Sequence, residues 1–148
     1  MEQERFIRFV HLIDGIHKSI QKIRLESAGE FGVKGVHVFW LHELLIHPDG
    51  LSATELAASN HVDRSLVSRE ISMLEAKGLI KSEKPSGKRN YNSKLTLTES
   101  GVEVAKKIKE IAMQFQTLGG QNIDDDELSS FYATLEKLYN NFEQICQD

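Results

Sequence analysis

Residues 52–78 constrain the fold more than any other stretch, because start and stop signals for two helices fall there in close succession. Ser52 with Glu55 three residues on is a capping box. The hydroxyl and the carboxylate each satisfy a backbone N–H that a helix start leaves without a partner. This predicts a short helix over residues 52–59. Asn60-His61-Val62 then leaves room only for a tight turn. Asp63 is a good N-cap for a second helix reaching about residue 77, and Gly78 sits where a left-handed C-cap is wanted. Leu79-Ile80-Lys81-Ser82-Glu83 and Ser93-Lys94-Leu95-Thr96-Leu97 read as strands, and residues 84–92, with Pro85, Ser86 and Gly87, as the long basic tip between them. Short helix, tight turn, longer helix and hairpin together make a helix-turn-helix with a wing.

The flanks read as helices. Phe6, Val10, Ile13, Ile16, Ile20 and Ile23 recur at three- to four-residue spacing and predict a helix over about residues 2–26, interrupted by Ala28-Gly29 and Gly32. A helix over about residues 36–46 is apolar on most sides and therefore central, and Pro48-Asp49-Gly50 ends it. Thr98 starts another, with Val102, Ala105, Ile108, Ala112 and Phe115 on its buried face and Gly119-Gly120 at its end. Asp124 and Glu127 cap a last helix that carries Leu128, Phe131, Leu135, Leu138, Phe142 and Ile145 in the three-four alternation of a packing seam. The expected class is mainly α with a small two- to three-stranded β-hairpin wing. The expected organisation is one domain over residues 1–148, with a winged helix-turn-helix lobe at about 35–98 and a helical dimerisation region at about 1–30 and 99–148.

Composition narrows the function. The chain has 148 residues, 40% hydrophobic and 27% charged, which suffices for one core without staples. A single cysteine excludes an internal disulfide framework and suits a reducing cytoplasm. No signal-peptide pattern opens the sequence, and the longest apolar run, near Val36, is broken by His37, His42 and Glu43, so no membrane span is expected. The net charge of −4 is unevenly spread: residues 63–94 hold eight bases against four acids, net +4, so the remainder carries −8. One basic segment on an acidic body is the footprint of a phosphate-facing surface.

The second helix of the motif fits that surface. With Arg64 at zero and about 100° per residue, Ser68, Ser72, Ser65 and Arg69 span roughly 40° to 140°, while Val67, Ile71 and Leu74 gather between roughly 280° and 340°. Arginine and serine supply donors for base edges and phosphates, and the small residues allow a close approach to DNA. An ordinary solvated helix face carries more glutamate and lysine. Lys84, Lys88 and Arg89 add charge at the wing, where a basic tip can reach a minor groove or a phosphate. Ser52 and Thr54 on the first helix of the motif and Asn90 in the wing complete the candidate contact set.

Leu51-Ser52-Ala53-Thr54-Glu55-Leu56-Ala57, Asp63-Arg64-Ser65-Leu66-Val67-Ser68-Arg69, Leu74-Glu75-Ala76-Lys77-Gly78-Leu79-Ile80 and Leu97-Thr98-Glu99-Ser100-Gly101 follow in this order and spacing. In them the chain resembles the MarR family of bacterial regulators, over nearly its whole length. The resemblance implies a homodimer joined by the N- and C-terminal helices, with Phe6, Val10, Ile13, Leu128, Phe131, Leu135, Leu138 and Phe142 as candidate interface residues. It also implies pseudo-palindromic double-stranded DNA operators and a repressor released by small, often phenolic, molecules or by oxidants. Two positions depart from the pattern. The family's wing Asp-x-Arg falls on Arg89 and Tyr91, and an arginine common four residues after the glycine of Gly-Leu-Ile is Ser82. Lys88 and Arg89 are therefore the better wing candidates.

Other chemistries have fewer parts. There is no nucleophile elbow, no phosphate-cradling glycine loop and no His-Glu-x-x-His signature, so no catalysis and no cofactor are expected. His37, His42 and His47 are five apart, which does not stack ligands on one helix face. His11 and His17 lie on another helix, and a metal-responsive regulator remains an alternative. Cys146 has no basic cluster around it in sequence to activate it. Phe31, Phe39 and Trp40 are candidates to line a pocket for a small aromatic or carboxylate effector, with His37 and Arg24 as polar contacts; aromatics in a central helix also serve simply as core. A winged-helix assembly module that binds no specific DNA is the other alternative, and such modules usually lose the basic face kept here.

Overall fold

The structure is a computed structural model describing residues 2–84, 88 and 90–147. Among these the order is α1 (Glu2–Phe31), α2 (Gly35–Ile46), α3 (Ala53–Ser59), α4 (Arg64–Ala76), β1 (Ile80–Ser82), β2 (Leu95–Leu97), α5 (Glu99–Gly119) and α6 (Asp125–Cys146). The chain divides into two compact units, Met1–Ala112 and Met113–Asp148, and α5 runs through the boundary.

In the first unit the core forms around α2. Val38, Trp40, Leu41 and Leu44 are at most 2% exposed, which is why this helix is apolar all round. Leu56 of α3, Val67, Ile71 and Leu74 of α4, Leu95 of β2, and Ala105 and Ile108 of α5 belong to the same cluster. The Ser52–Glu55 capping box forms as expected: Glu55 N–H donates to Ser52 Oγ at 3.1 Å, and Ser52 N–H to Glu55 Oε2 at 2.7 Å. Gly78 takes the left-handed conformation, φ +70°. Asp63 holds the N-cap position of α4, but its side chain makes no cap bond.

β1 and β2 pair antiparallel, Ile80 with Leu97 and Ser82 with Leu95. On the other side of β2, Leu51 N–H donates to Leu95 O at 3.1 Å and Leu95 N–H to Leu51 O at 2.9 Å. β2 is thus held on both edges. Gly50 precedes this bridge at φ +94°, where a Cβ would lie 2.8 Å from Leu95 O. Both strands are shorter than the sequence pattern suggests. Ser93 is drawn into a turn with Asn90, and beyond Ser82 the ladder becomes irregular: Glu83 N–H donates to Lys94 O, while Lys94 N–H finds the Glu83 carboxylate in place of a carbonyl.

α1 is longer than its sequence pattern predicts. It passes through Ala28-Gly29 and stops only before Gly32, φ +64°. Ser27 and Ala28 are buried, so these small residues serve close packing, which outweighs the roughly 1 kcal/mol that a helical glycine costs. Thr98 starts α5 by accepting from Gly101 N–H and donating to Gly78 O. Ala105 and Ile108 are buried as expected, but Phe115, placed on the same face, is 42% exposed; it lies past Ala112, where the first unit ends.

In the second unit, Asp124 caps α6 with Glu127 in a reciprocal box. No residue of α6 is buried. Its stripe of Leu128, Leu135 and Leu138 is half-buried, while Phe131, Phe142 and Ile145 are 50%, 40% and 68% exposed. On α1, Phe6 is 59% and Ile13 37% exposed, and Val10 is half-buried. Among the described residues no helix is long and apolar enough to cross a membrane.

Candidate nucleic-acid interface

The two faces of α4 separate as the helical phase predicts. Arg64, Ser65, Arg69 and Ser72 are exposed and Ser68 is half-buried, while Val67, Ile71 and Leu74 are sealed in the core. The helix is fixed from behind by more than apolar contact. Glu70, next to Arg69, turns inward and is 8% exposed. Lys34 Nζ donates to its Oε1 at 2.9 Å, and His37 Nε2 lies 2.8 Å from Oε2. Lys77, just past the end of α4, donates from Nζ to Gly32 O at 2.6 Å. Three polar links therefore join α4 and its C-terminal end to residues 32–37, the junction of α1 and α2.

The hydrogen bonds settle the state of His37. Its Nδ1 accepts from Lys34 N–H at 3.2 Å, so the neutral ring carries its proton on Nε2 and donates it to Glu70. A second proton, on Nδ1, would face another donor. Burial pushes the His37 pKa below 6.5, and this outweighs the pull of the Glu70 carboxylate. The hydrogen bond from Lys34 holds Glu70 below the usual carboxylate range despite burial.

The wing base is docked onto the helices. Thr54 donates from both N–H and Oγ1 to Tyr91 O at 3.2 Å, and Lys94 Nζ reaches Glu55 Oε2 at 3.1 Å. Ser52 is buried as a cap, so Ser52 and Thr54 are joints of the motif as well as candidate contacts. Asn90 is exposed, but its Oδ1 accepts from Asn92 N–H and Ser93 Oγ–H inside the turn. Lys84 and Lys88 are exposed. Arg89, with Pro85, Ser86 and Gly87 of the tip, lies outside the described residues. Tyr91, where the family pattern has arginine, is 42% exposed, and the Arg64 guanidinium carbon lies 4.9 Å from its ring centre.

The candidate effector residues have structural duties. His37 and Trp40 are fully buried, with ring centres 5.8 Å apart. The Arg24 side chain passes Gly35, and its guanidinium carbon lies 4.5 Å from the Phe39 ring centre. Arg24 Nε and Trp40 Nε1 are buried donors with no acceptor among the described residues. No group of three or more histidine, cysteine, aspartate or glutamate side chains is placed to hold a metal among the described residues. Sequence reasoning passed over Glu70, and took Tyr91 only as a departure from the family's wing arginine. Glu70 falls near 240° in the helical phase, at the border of the apolar arc, and that was a usable signal. For Tyr91 no local pattern gives the partner, because Arg64 is distant in sequence.

A sequence model of the MarR family matches residues 31–89. A relative described as a transcriptional regulatory protein for the hcr operon of Thauera aromatica is 28% identical over 103 residues, 69% of this chain and 61% of that protein. The chain thus spans less than two thirds of that relative's length. Solved structures share the fold. MepR of S. aureus in a DNA-binding conformation superposes with a TM-score of 0.81 at 18% identity, covering 90% of this chain and 98% of that one. A protein described as a MarR-family regulator from Listeria monocytogenes, complexed with a 26mer DNA, gives 0.77 at 20% identity, covering 89% and 87%. A MarR-family regulator from Silicibacter pomeroyi gives 0.72 at 24% identity, covering 88% and 86%.

Proposed function

We propose that the chain is a sequence-specific DNA-binding transcriptional regulator that acts as a homodimer on pseudo-palindromic operators. The observation that carries this reading is the exposed Arg64, Ser65 and Arg69 face of α4, locked from behind, together with the exposed wing lysines Lys84 and Lys88. Two relatives of the same fold, one complexed with DNA and one in a DNA-binding conformation, support it. The homodimer reading is supported by the exposed apolar residues of α1 and α6, which a solitary chain would leave in water.

Repression with release by a small carboxylate or aromatic effector is the regulatory part of the proposal. Its support is the pair of unsatisfied donors, Arg24 Nε and Trp40 Nε1, which an acceptor-bearing molecule would satisfy. The whole reading is tested by selecting bound duplexes from a random pool, then titrating the best one at several salt concentrations. Enrichment of a two-fold-symmetric sequence, with Lys88→Ala and Arg89→Ala together lowering the salt slope by roughly one to two units, is the expected result. A pool with no enrichment and no binding at low salt overturns it.

A further inference from the structure

We infer that Tyr91 is a positioning residue for DNA binding, acting through Arg64. The inference rests on the DNA-binding reading and goes beyond it, since it gives the wing base a role that its charges do not supply.

The turn that carries Tyr91 is closed on itself. Asn90 N–H donates to Ser93 Oγ at 3.1 Å and Ser93 N–H to Asn90 O at 3.1 Å, while Asn90 Oδ1 accepts from Asn92 N–H at 2.9 Å. Ser93 is 1% exposed, so the turn is anchored in the lobe. Tyr91 O takes both donors of Thr54. The backbone beneath the ring is therefore fixed to the first turn of α3 by bonds that do not involve the ring. What remains of Tyr91 is a half-open aromatic face, and Arg64 lies over it.

Arg64 gains little from the helix it begins. A cation at a helix start meets the positive pole of the backbone dipoles. An exposed arginine there also loses rotamer freedom whenever it makes a directed contact. The ring offsets both costs, because a guanidinium lying on an aromatic face is attracted to it while its N–H groups, which lie in its own plane, stay available. Tyr91 lines a cleft of about 340 Å³ together with Ala53, Ser68 and Asn90. The Arg64 rotamer is thus chosen before DNA arrives, against the ring of a residue that lines this cleft.

The test is a double-mutant cycle on one selected duplex, read by fluorescence anisotropy. Tyr91→Ala is expected to weaken binding about two- to fivefold, the range of an exposed cation–π contact. Tyr91→Phe keeps the ring and should bind within twofold of the original. In an Arg64→Ala background, Tyr91→Ala should change nothing. Thermal midpoints of all variants check that the lobe is intact, which the backbone anchoring predicts. Equal losses with and without Arg64, or a Tyr91→Phe variant as weak as Tyr91→Ala, overturn the inference while leaving DNA binding in place. Failure of the unmodified protein to bind any duplex from the pool overturns the DNA-binding reading, and the inference with it.

Discussion

Gly101 sits in the first turn of α5 with Leu79 so close that a Cβ would collide with the Leu79 carbonyl oxygen. The obstacle is backbone, which cannot swing aside as a side chain does. Gly101→Ala is expected to cost on the order of 3 kcal/mol by overpacking, measured as a lowered urea midpoint; an unchanged midpoint would show that the helix start shifts freely. The sequence motif Leu97-Thr98-Glu99-Ser100-Gly101 was legible as a pattern, yet its reason is this contact, between residues of neighbouring elements. Arg69 tests the recognition face in the same way. If it reads a guanine, Arg69→Ala should lose about 1–3 kcal/mol on the best operator and much less on unrelated DNA. Equal losses on both would reduce Arg69 to a backbone contact. The exposed positions of α4 were readable because they follow from helical phase alone. Glu70 was not singled out and Tyr91 was noted only as a departure from the family pattern, because their meaning depends on His37, Lys34 and Arg64, which only the fold brings near.

At the scale of elements, the link between α4 and the α1–α2 junction carries a pH dependence. His37 has its pKa lowered from 6.5, so the unfolded chain binds a proton there that the folded chain refuses. Stability is therefore complete above about pH 6.5 and falls as the pH drops below it. The lowered Glu70 pKa acts in the same direction at more acid pH, its contribution being lost as the carboxylate protonates. Lys34 and Lys77 also oppose a charged His37. His42, likewise lowered by burial, adds to the effect, so a His42→Gln control separates the two. The urea midpoint should be lower at pH 5.5 than at pH 7.5 in the original and in the control. Glu70→Ala should cost about 1–3 kcal/mol at neutral pH, since it leaves a buried His37 N–H without an acceptor. A midpoint independent of pH would show that His37 is protonated without strain. Elements whose ends are marked by local chemistry were placed well from sequence: the caps of α3 and α6 and the glycine after α4. The end of α1 was not, because burial of Ser27 and Ala28 overrode a local break signal.

For the molecule as a whole, the proposed homodimer rests on the exposed apolar residues that α1 and α6 each carry. Leu135→Glu and Phe142→Glu should each dissociate a homodimer, because a charge would be buried without a counter-ion. Sedimentation showing an unchanged dimer in both variants would exclude this interface. The three-four alternation that made α6 legible in sequence says only that the stripe packs, not against what. The bridge from Leu51 to β2 has a consequence in time. Leu51 precedes both helices of the motif, yet its partner, Leu95, follows both, so the lobe closes only when distant ends of one segment meet. Contacts of this kind slow folding, since the loop between them must be ordered before they form. During synthesis, residues 53–76 would emerge able to coil into helices but unable to finish their sheet. Hydrogen exchange should reflect the same order, with the Leu51 and Leu95 amides opening together, and only when the whole lobe unfolds.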